Sequence, residues 1–581
     1  MLRFCLVLSL CWVCGSVLAA QPQVQLQPDQ PPFALTVQQA RDWTPHSDTA
    51  SADNVSRVPL ARRISAPLPG QQHLDTEAKV LYAPDGMNNF ANYLTAQPVF
   101  NLYNFTHWSQ IDVLNWFAGT ADLTVQIPAR PWVDTAHKNG VKVIGSVFLG
   151  IAQWGGNPDT VEALLEQDKT GRFILADKLI QIADYYGFDG WLINQETDLT
   201  AVKDAQNQLV KGKKDPERGR DLARRLLAFM QYLTAKAPQG MEIHWYDSML
   251  ASGEVRWQNQ LNTKNQQYLQ HQVPSSDAIF LNYWWDKNMI VASRQKALDL
   301  GRSPYDVYTG VDLWPSRDAQ RAFSSYQWLD WLFEGNKALT SIALFAPNLN
   351  FNFDGESHTP AFSRFRTDAT DVASFYATES RIFAGDDLNS AVIDQVGWKG
   401  LGAYLPAKSS LLALPFSSSF NTGQGKVLMQ QGKQIGGAWT DISQQDLLPT
   451  WQFAVQSSAA DMAELQLSYD FDQPYQGGSA LAVRGKATQQ NLLPLYHSSV
   501  VLSASSKVRL ISLGKSSGLQ LYLQTAEGER HLLPLESSSD WTTADQSLAT
   551  LAGRHIVQIG LLTQGATEEI DARLGLLEIT P

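Results

Sequence analysis

The sequence predicts an α/β protein: a (β/α)8 barrel of the TIM type, followed by C-terminal β-sandwich structure. Three observations predict it. Between about residues 76 and 350, eight short apolar runs alternate with longer amphipathic stretches. No glycine-rich phosphate loop follows the first run, which disfavours the runner-up, an open doubly wound sheet. Beyond about residue 390 the helical spacing fades, and Gly, Ser and turn signals recur between short apolar runs.

The eight strand candidates are 79–83, 112–117, 141–149, 188–194, 241–247, 277–283, 306–312 and 341–346, with helix-like stretches at 172–186, 218–236 and 319–335 among them. Residues 21–75 are rich in Gln, Pro and Ser and read as a linker or an arm lying on the next domain. Residues 199–218, which contain the basic KGKK, read as a solvated insertion after the fourth strand. The expected division is a signal peptide at 1–20, the arm at 21–75, the barrel at 76–390, an accessory sandwich at 391–495, and a second β-rich, carbohydrate-binding domain at 496–581.

The N-terminus carries Arg3, an apolar run from Phe4 to Cys14, and a small-residue site near Ala19 and Ala20. That is the layout of a secretory signal, so an exported bacterial protein, periplasmic or secreted, is expected. All three cysteines lie inside this segment, so the mature chain would have no thiolate chemistry and no disulfide. A net charge of −12 argues against nucleic acid or an anionic membrane as the main partner. The 18 Trp and 18 Tyr fit a chain that presents flat aromatic faces to sugar rings.

Residues 187–198, GFDGWLINQETD, read as a buried strand with a polar tip. Alternation puts Asn194 and Glu196 on one face and Gln195 on the other. Barrel chemistry sits at the C-terminal strand ends, and the neighbouring ends carry Trp245-Tyr246-Asp247, Asn282-Tyr283-Trp284-Trp285 and Asp312-Leu313-Trp314. Ordinary glycoside hydrolysis uses two carboxyl groups, whereas this strand offers one beside an amide. If a substrate carries a 2-acetamido group, its carbonyl oxygen can replace the second carboxylate. Asn194 would then orient the acetamido group, and Glu196 would serve as general acid and base.

GFDGWLINQE (187–196) resembles the signature of glycoside hydrolase family 85, the endo-β-N-acetylglucosaminidases. The likeness extends through NLYNFTHWSQIDVLNWF (101–117), PWVDTAHKNGVKVIGSVF (131–148), HWYDSM (244–249), VRWQNQLN (255–262) and DAIFLNYWW (277–285), and into FNTGQGKVLMQQG (420–432), WTDISQQDLLP (439–449) and YQGGSALAVRG (475–485). It implies cleavage between the two GlcNAc residues of the N-glycan core, with retention through an oxazolinium intermediate and with some transglycosylation. It also implies Asn194 and Glu196 in the roles above, Tyr246 as a hydrogen-bonding partner near the acetamido group, and Trp257 and Trp285 as sugar-stacking walls. Trp284, Asn282 and Asp312 complete the expected substrate-binding set, and His107 and His137 read as structural. The chain departs from the family pattern at GIAQWGG (150–156), where an acidic-aromatic motif is common, and at Gln195, where an apolar residue is common.

No metal or cofactor is expected. The expected partners are N-glycans and glycoproteins, with no nucleic acid and no membrane span, and the chain is expected to be a monomer. Two alternatives stay open. A chitinase-like hydrolase of GlcNAc polymers usually carries an acidic ladder that this strand lacks. A non-catalytic glycan-binding protein would not need a proton donor at Glu196.

Overall fold

The computed structural model describes residues 31–47, 50–204, 206, 208–313, 328–350, 372–392, 397–457, 464–565 and 569–581. The expected signal peptide at 1–20 lies outside these residues, as does Trp314.

Eight parallel strands close into a barrel. They are β1 (Val80–Ala83), β2 (Val113–Asn115), β3 (Lys142–Leu149), β4 (Gly190–Gln195), β5 (Glu242–Tyr246), β6 (Ala278–Leu281), β7 (Val307–Asp312) and β8 (Ser341–Phe345). The ring runs in chain order, with β3 pairing β4 and β8 pairing β1. Each predicted strand overlaps one of these. Because every strand is buried on both faces, the runs read as nearly continuous apolar segments. Leu81, Val113, Ile144, Leu192, Phe280 and Tyr308 fill the lumen. Val80, Leu114, Val143, Trp191, Ile243 and Ile279 face the outer layer.

The helical layer is less regular than the barrel expectation. Helices α1 (Arg130–Lys138), α2 (Ile174–Tyr186), α3 (Pro216–Lys236) and α4 (Lys287–Asp299) follow β2, β3, β4 and β6. The β1–β2 and β5–β6 crossovers hold only short 3-10 turns. In the first of these, Tyr93, Tyr103, Phe105 and Trp108 bury themselves at non-helical spacing, and Tyr103 stacks on Trp132 of α1 at 5.6 Å. These rings cover the barrel wall where a helix would otherwise lie. Of the helix-like stretch expected at 319–335, the described part is helical only at its start. Its residues 319–327 lie outside the described set, the described helix is Trp328–Trp331, and Phe333–Glu334 then pairs with Lys337–Ala338 as a hairpin.

The described part of the N-terminal arm is stitched into the body. Ala34–Leu35 pairs with Val125 and Gln126, and Thr36 and Gln39 form a capping box on the helix Val37–Asp42. Ile64–Ala66 pairs with Ala407–Ser409 from beyond the barrel. Beside that ribbon the buried carboxylate of Asp112 meets Arg63 at 2.6 Å and also bonds Lys408. Burial opposes its charge, but the two cations and the Val80 N–H hold its pKa below the ordinary carboxylate value.

After the barrel comes α5 (Val372–Ala384), then a two-sheet β-sandwich. One sheet orders Glu464–Asp470, Ala480–Lys486, Ile570–Thr580, Lys507–Lys515 and Ser538–Ser547; the other orders Gln456–Ser457, Gln490–Val501, His555–Gln564, Leu519–Thr525 and Arg530–Pro534. The expected boundary at 495/496 falls inside the strand Gln490–Val501, and Phe416–Ser418 pairs with Leu577–Ile579. One hydrophobic core runs from Leu411 to Ile579, so this region is corrected to a single sandwich. Recurrent turn signals look alike within one sandwich and between two, because they mark strand ends and not the core that strands share.

Gly190 shows how tightly β4 is inserted. Its φ is +144°, and a Cβ there would lie 1.9 Å from the Glu242 carbonyl oxygen of β5. Gly190→Ala should therefore lower unfolding free energy by about 3 kcal/mol or more in urea titrations. Gly301 also has a positive φ, of +70°, but with nothing within 4 Å of a Cβ. Gly301→Ala should cost only about 1 kcal/mol.

Candidate active site

The site begins with how the sequence around β4 folds. Gly187 takes φ +76° and ends α2 in the left-handed conformation that glycine tolerates. Asp189 accepts hydrogen bonds from the Val143 N–H and from His137 Nε2, each at 2.8 Å, which fixes the strand against β3 and α1. His137 also bonds the Val58 carbonyl at 2.7 Å. His107 bonds Glu379 of α5, both side chains being buried. Both histidines are thus tied into the scaffold. Along β4, Trp191 points outward and donates to the Leu179 carbonyl at 2.9 Å, while Leu192 enters the lumen.

Alternation then delivers Asn194 and Glu196 to the same face. The Asn194 Nδ2 donates to Glu196 Oε2 at 3.1 Å, and Trp257 Nε1 donates to Glu196 Oε1 at 3.0 Å. With its amide nitrogen engaged, Asn194 keeps its carbonyl oxygen available as an acceptor. Gln195 turns away and donates to the Thr197 carbonyl at 2.7 Å.

These groups line a cavity of about 880 Å³ at the C-terminal end of the barrel. Tyr246, Asn282 and Trp284 share it, and Trp257 and Trp284 keep 40% and 55% of their surface exposed, so two indole faces are open to a ligand. Trp285 does not share it. Its ring is buried in the outer layer and donates to the Gly310 carbonyl at 2.7 Å, so the expectation of Trp285 as a sugar wall is corrected. The reason is parity: Trp284 and Trp285 are adjacent and face opposite ways. Asp312 is buried on the face of β7 that also carries Tyr308, and it is not among the residues lining the cavity.

Several lining residues escaped the sequence reading. Trp154, 52% exposed, stands on a 3-10 turn in the loop after β3. Asp85 and Asn88 follow β1, and Asn259 lies in the loop after β5. The rule that polar and aromatic residues at strand tips build the site would have found the first three had it been applied to β1 and β3.

A second network lies below. The Tyr246 hydroxyl donates to Asn282 Oδ1 at 2.9 Å. Burial, then the proximity of Tyr283, Glu196 and Asp247, pushes the Tyr246 pKa far above its ordinary value, so the hydroxyl keeps its proton. Asp247 is completely buried, and burial pushes its carboxyl up to about 6 against the pull of N–H groups from Asn259, Asn265, Asn282 and Gln258. Among the described residues, no group of three or more His, Cys, Asp or Glu side chains could hold a metal ion, and no helix is long and apolar enough to cross a membrane.

The sequence profile of Glycosyl hydrolase family 85 matches residues 87–428. The chain belongs to this family. Within family 85 its sequence is similar to the cytosolic endo-β-N-acetylglucosaminidase of Gallus gallus, 28% identical over 467 residues, covering 78% of this chain and 52% of that one. It is also similar to the enzyme of the same name from Mus musculus, 27% identical over 538 residues, covering 90% and 60%. The chain thus spans about half the length of the curated relatives it matches. Its fold is similar to that of the glycoside hydrolase domain of Endo-D from Streptococcus pneumoniae R6, with a TM-score of 0.77 at 24% identity, covering 94% of this chain and 83% of that one. The relatives from chicken, mouse, zebrafish, human and Arabidopsis thaliana are all named cytosolic, which overturns the expectation of an exported, periplasmic or secreted protein.

The pH dependence of Asp247 has a definite sign. Its folded pKa of about 6 lies above the model-compound value of 3.8, so the folded state takes up the proton first. Its contribution to stability is full below the lower value and is lost as pH rises through the higher one. In urea titrations, the stability of the wild type relative to Asp247→Asn should fall by on the order of 3 kcal/mol between about pH 4 and about pH 7.

Proposed function

We propose that this chain is a retaining endo-β-N-acetylglucosaminidase that hydrolyses the GlcNAc-β1,4-GlcNAc bond of the N-glycan core with help from the substrate's own acetamido group. The observation that carries this reading is the Asn194–Glu196 pair, an amide and a carboxylate 3.1 Å apart on one strand tip in a cavity with open indole faces. The acetamido carbonyl oxygen attacks the anomeric carbon as Glu196 gives its proton to the departing glycosidic oxygen. Asn194 accepts from the acetamido N–H through its free carbonyl oxygen and so offsets the positive charge that develops on the oxazolinium ring. Glu196, now ionised, takes a proton from water, which opens the ring with net retention. A sugar hydroxyl in place of water gives transglycosylation. Tyr246 stays protonated, its proton held by Asn282 Oδ1 at 2.9 Å, so its ring and hydroxyl oxygen face the acetamido group, and Trp257 and Trp284 stack on sugar faces.

A two-carboxylate mechanism is the second reading, and Asp85 on the cavity wall is the observation that favours it. The variants separate the two. Wild-type protein incubated with a glycoprotein bearing high-mannose glycans should leave a single GlcNAc on asparagine, detected by mass spectrometry. Glu196→Gln should reduce this cleavage by about 10³-fold, within the range for a general acid. Asn194→Ala should lose about 10²-fold on glycan yet still turn over a preformed sugar oxazoline, because that substrate bypasses the assisted step. Wild-type glycan cleavage by Asn194→Ala, with loss of both activities in Asp85→Asn, would instead establish the two-carboxylate route.

A further inference from the structure

Behind the cavity wall, one buried side chain bonds two of the residues that line it, Asn259 and Asn282. The Asp247 carboxylate, at the end of β5, has no exposed surface. Its Oδ2 accepts from the Asn259 N–H at 2.7 Å, the Gln258 N–H at 3.1 Å and the Asn282 N–H at 3.2 Å. Its Oδ1 accepts from Asn265 Nδ2 at 2.9 Å. All of these partners are donors, so an ionised carboxylate satisfies them, while an amide would turn an N–H toward another N–H.

The bonds reach three parts of the cavity wall. Asn259 sits at φ +60°, and its Oδ1 accepts from Asn282 Nδ2 at 2.7 Å and from the Trp284 N–H at 3.1 Å. Asn282 in turn accepts from the Tyr246 hydroxyl at 2.9 Å. The same short loop begins with Trp257, whose indole holds Glu196 Oε1 at 3.0 Å. Asp247, Asn259, Asn282 and Tyr246 therefore form one relay, and it joins the tips of β5 and β6 to the loop between them.

We propose that Asp247 is a positioning residue for the reaction: its buried carboxylate clamps Gln258, Asn259 and Asn282 so that Asn259 and Asn282 hold Tyr246 and Trp284 where the acetamido-bearing sugar binds. The proposal rests on the functional reading above. Asp247 touches no substrate. A carboxyl held near 6 by burial is ionised at neutral pH, as the clamp requires.

The test is a kinetic cycle on the full chain, using Asp247→Asn, Asn259→Gly and the double variant. Asn259→Gly removes the relaying side chain and keeps the left-handed backbone. Each single variant should lower kcat by about 10²-fold with little change in KM, the penalty for misplacing a reacting group by about 1 Å. The double variant should be no slower than the worse single one, because both changes break the same relay. Rates are counted per folded molecule, with folding checked by thermal unfolding. Losses that multiply in the double variant, or a wild-type kcat in Asn259→Gly, would overturn the relay even if Asp247→Asn fails to fold. An active wild type with an equally active Asp247→Asn would remove this proposal alone, whereas an inactive wild type would remove the functional reading and this one with it.

Discussion

Parallel pairing of β3 with β4 is the constraint on which the site depends. It places Phe148 beside Asn194 and Leu149 beside Gln195, and so sets both the height and the face of every side chain at the β4 tip. A slip of one residue would turn Asn194 and Glu196 into the outer layer and bring Gln195 into the cavity. The register is guarded from below. Asp189 bonds the Val143 amide and His137, and Gly190 lets β5 approach more closely than any Cβ would allow. The least adaptable residues of the strand thus lie at its base, and those proposed to do chemistry lie at its tip.

Three carboxylates of the structure, Asp112, Asp247 and Glu196, are held in two distinct ways. Asp112, beneath the barrel, is neutralised by Arg63 and Lys408. Asp247 and Glu196, near the cavity, are held by amide and indole N–H groups. Neutral donors fix a carboxylate in direction without adding a full positive charge beside it. Near a centre proposed to pass through an oxazolinium cation, a lysine or arginine would oppose the charge that forms, and oriented amides would not.

The barrel was readable because its strands are buried on both faces, and that property leaves uninterrupted apolar runs. The Asn194–Glu196 pair was readable because alternation along one strand needs no knowledge of its neighbours. Trp285 was misread because the parity of two adjacent indoles depends on where the strand ends, and a sequence does not mark that. Asp247 stood in a quoted motif with no role, since its partners are backbone N–H groups in a loop and on the next strand, and a backbone N–H leaves no trace in residue type. The division at 495/496 failed for a related reason: long-range pairing such as Phe416–Ser418 with Leu577–Ile579 decides what shares a core. Export was inferred from the leader-like first residues alone, and the cytosolic relatives overturned it.

The ribbon joining Ile64–Ala66 to Ala407–Ser409 bears on where this chain can be cut. Drawn as architecture, the barrel is a separate module. Drawn as a folding unit, it includes a segment from before its first strand and another from after its last helix, and Asp112 is the rivet between them. A fragment trimmed to the strands and helices alone would lose both cations and keep the buried carboxylate, a loss of about 3–5 kcal/mol for a broken buried pair. The smallest piece that keeps Asp112 paired is therefore larger than the smallest run of barrel strands and helices.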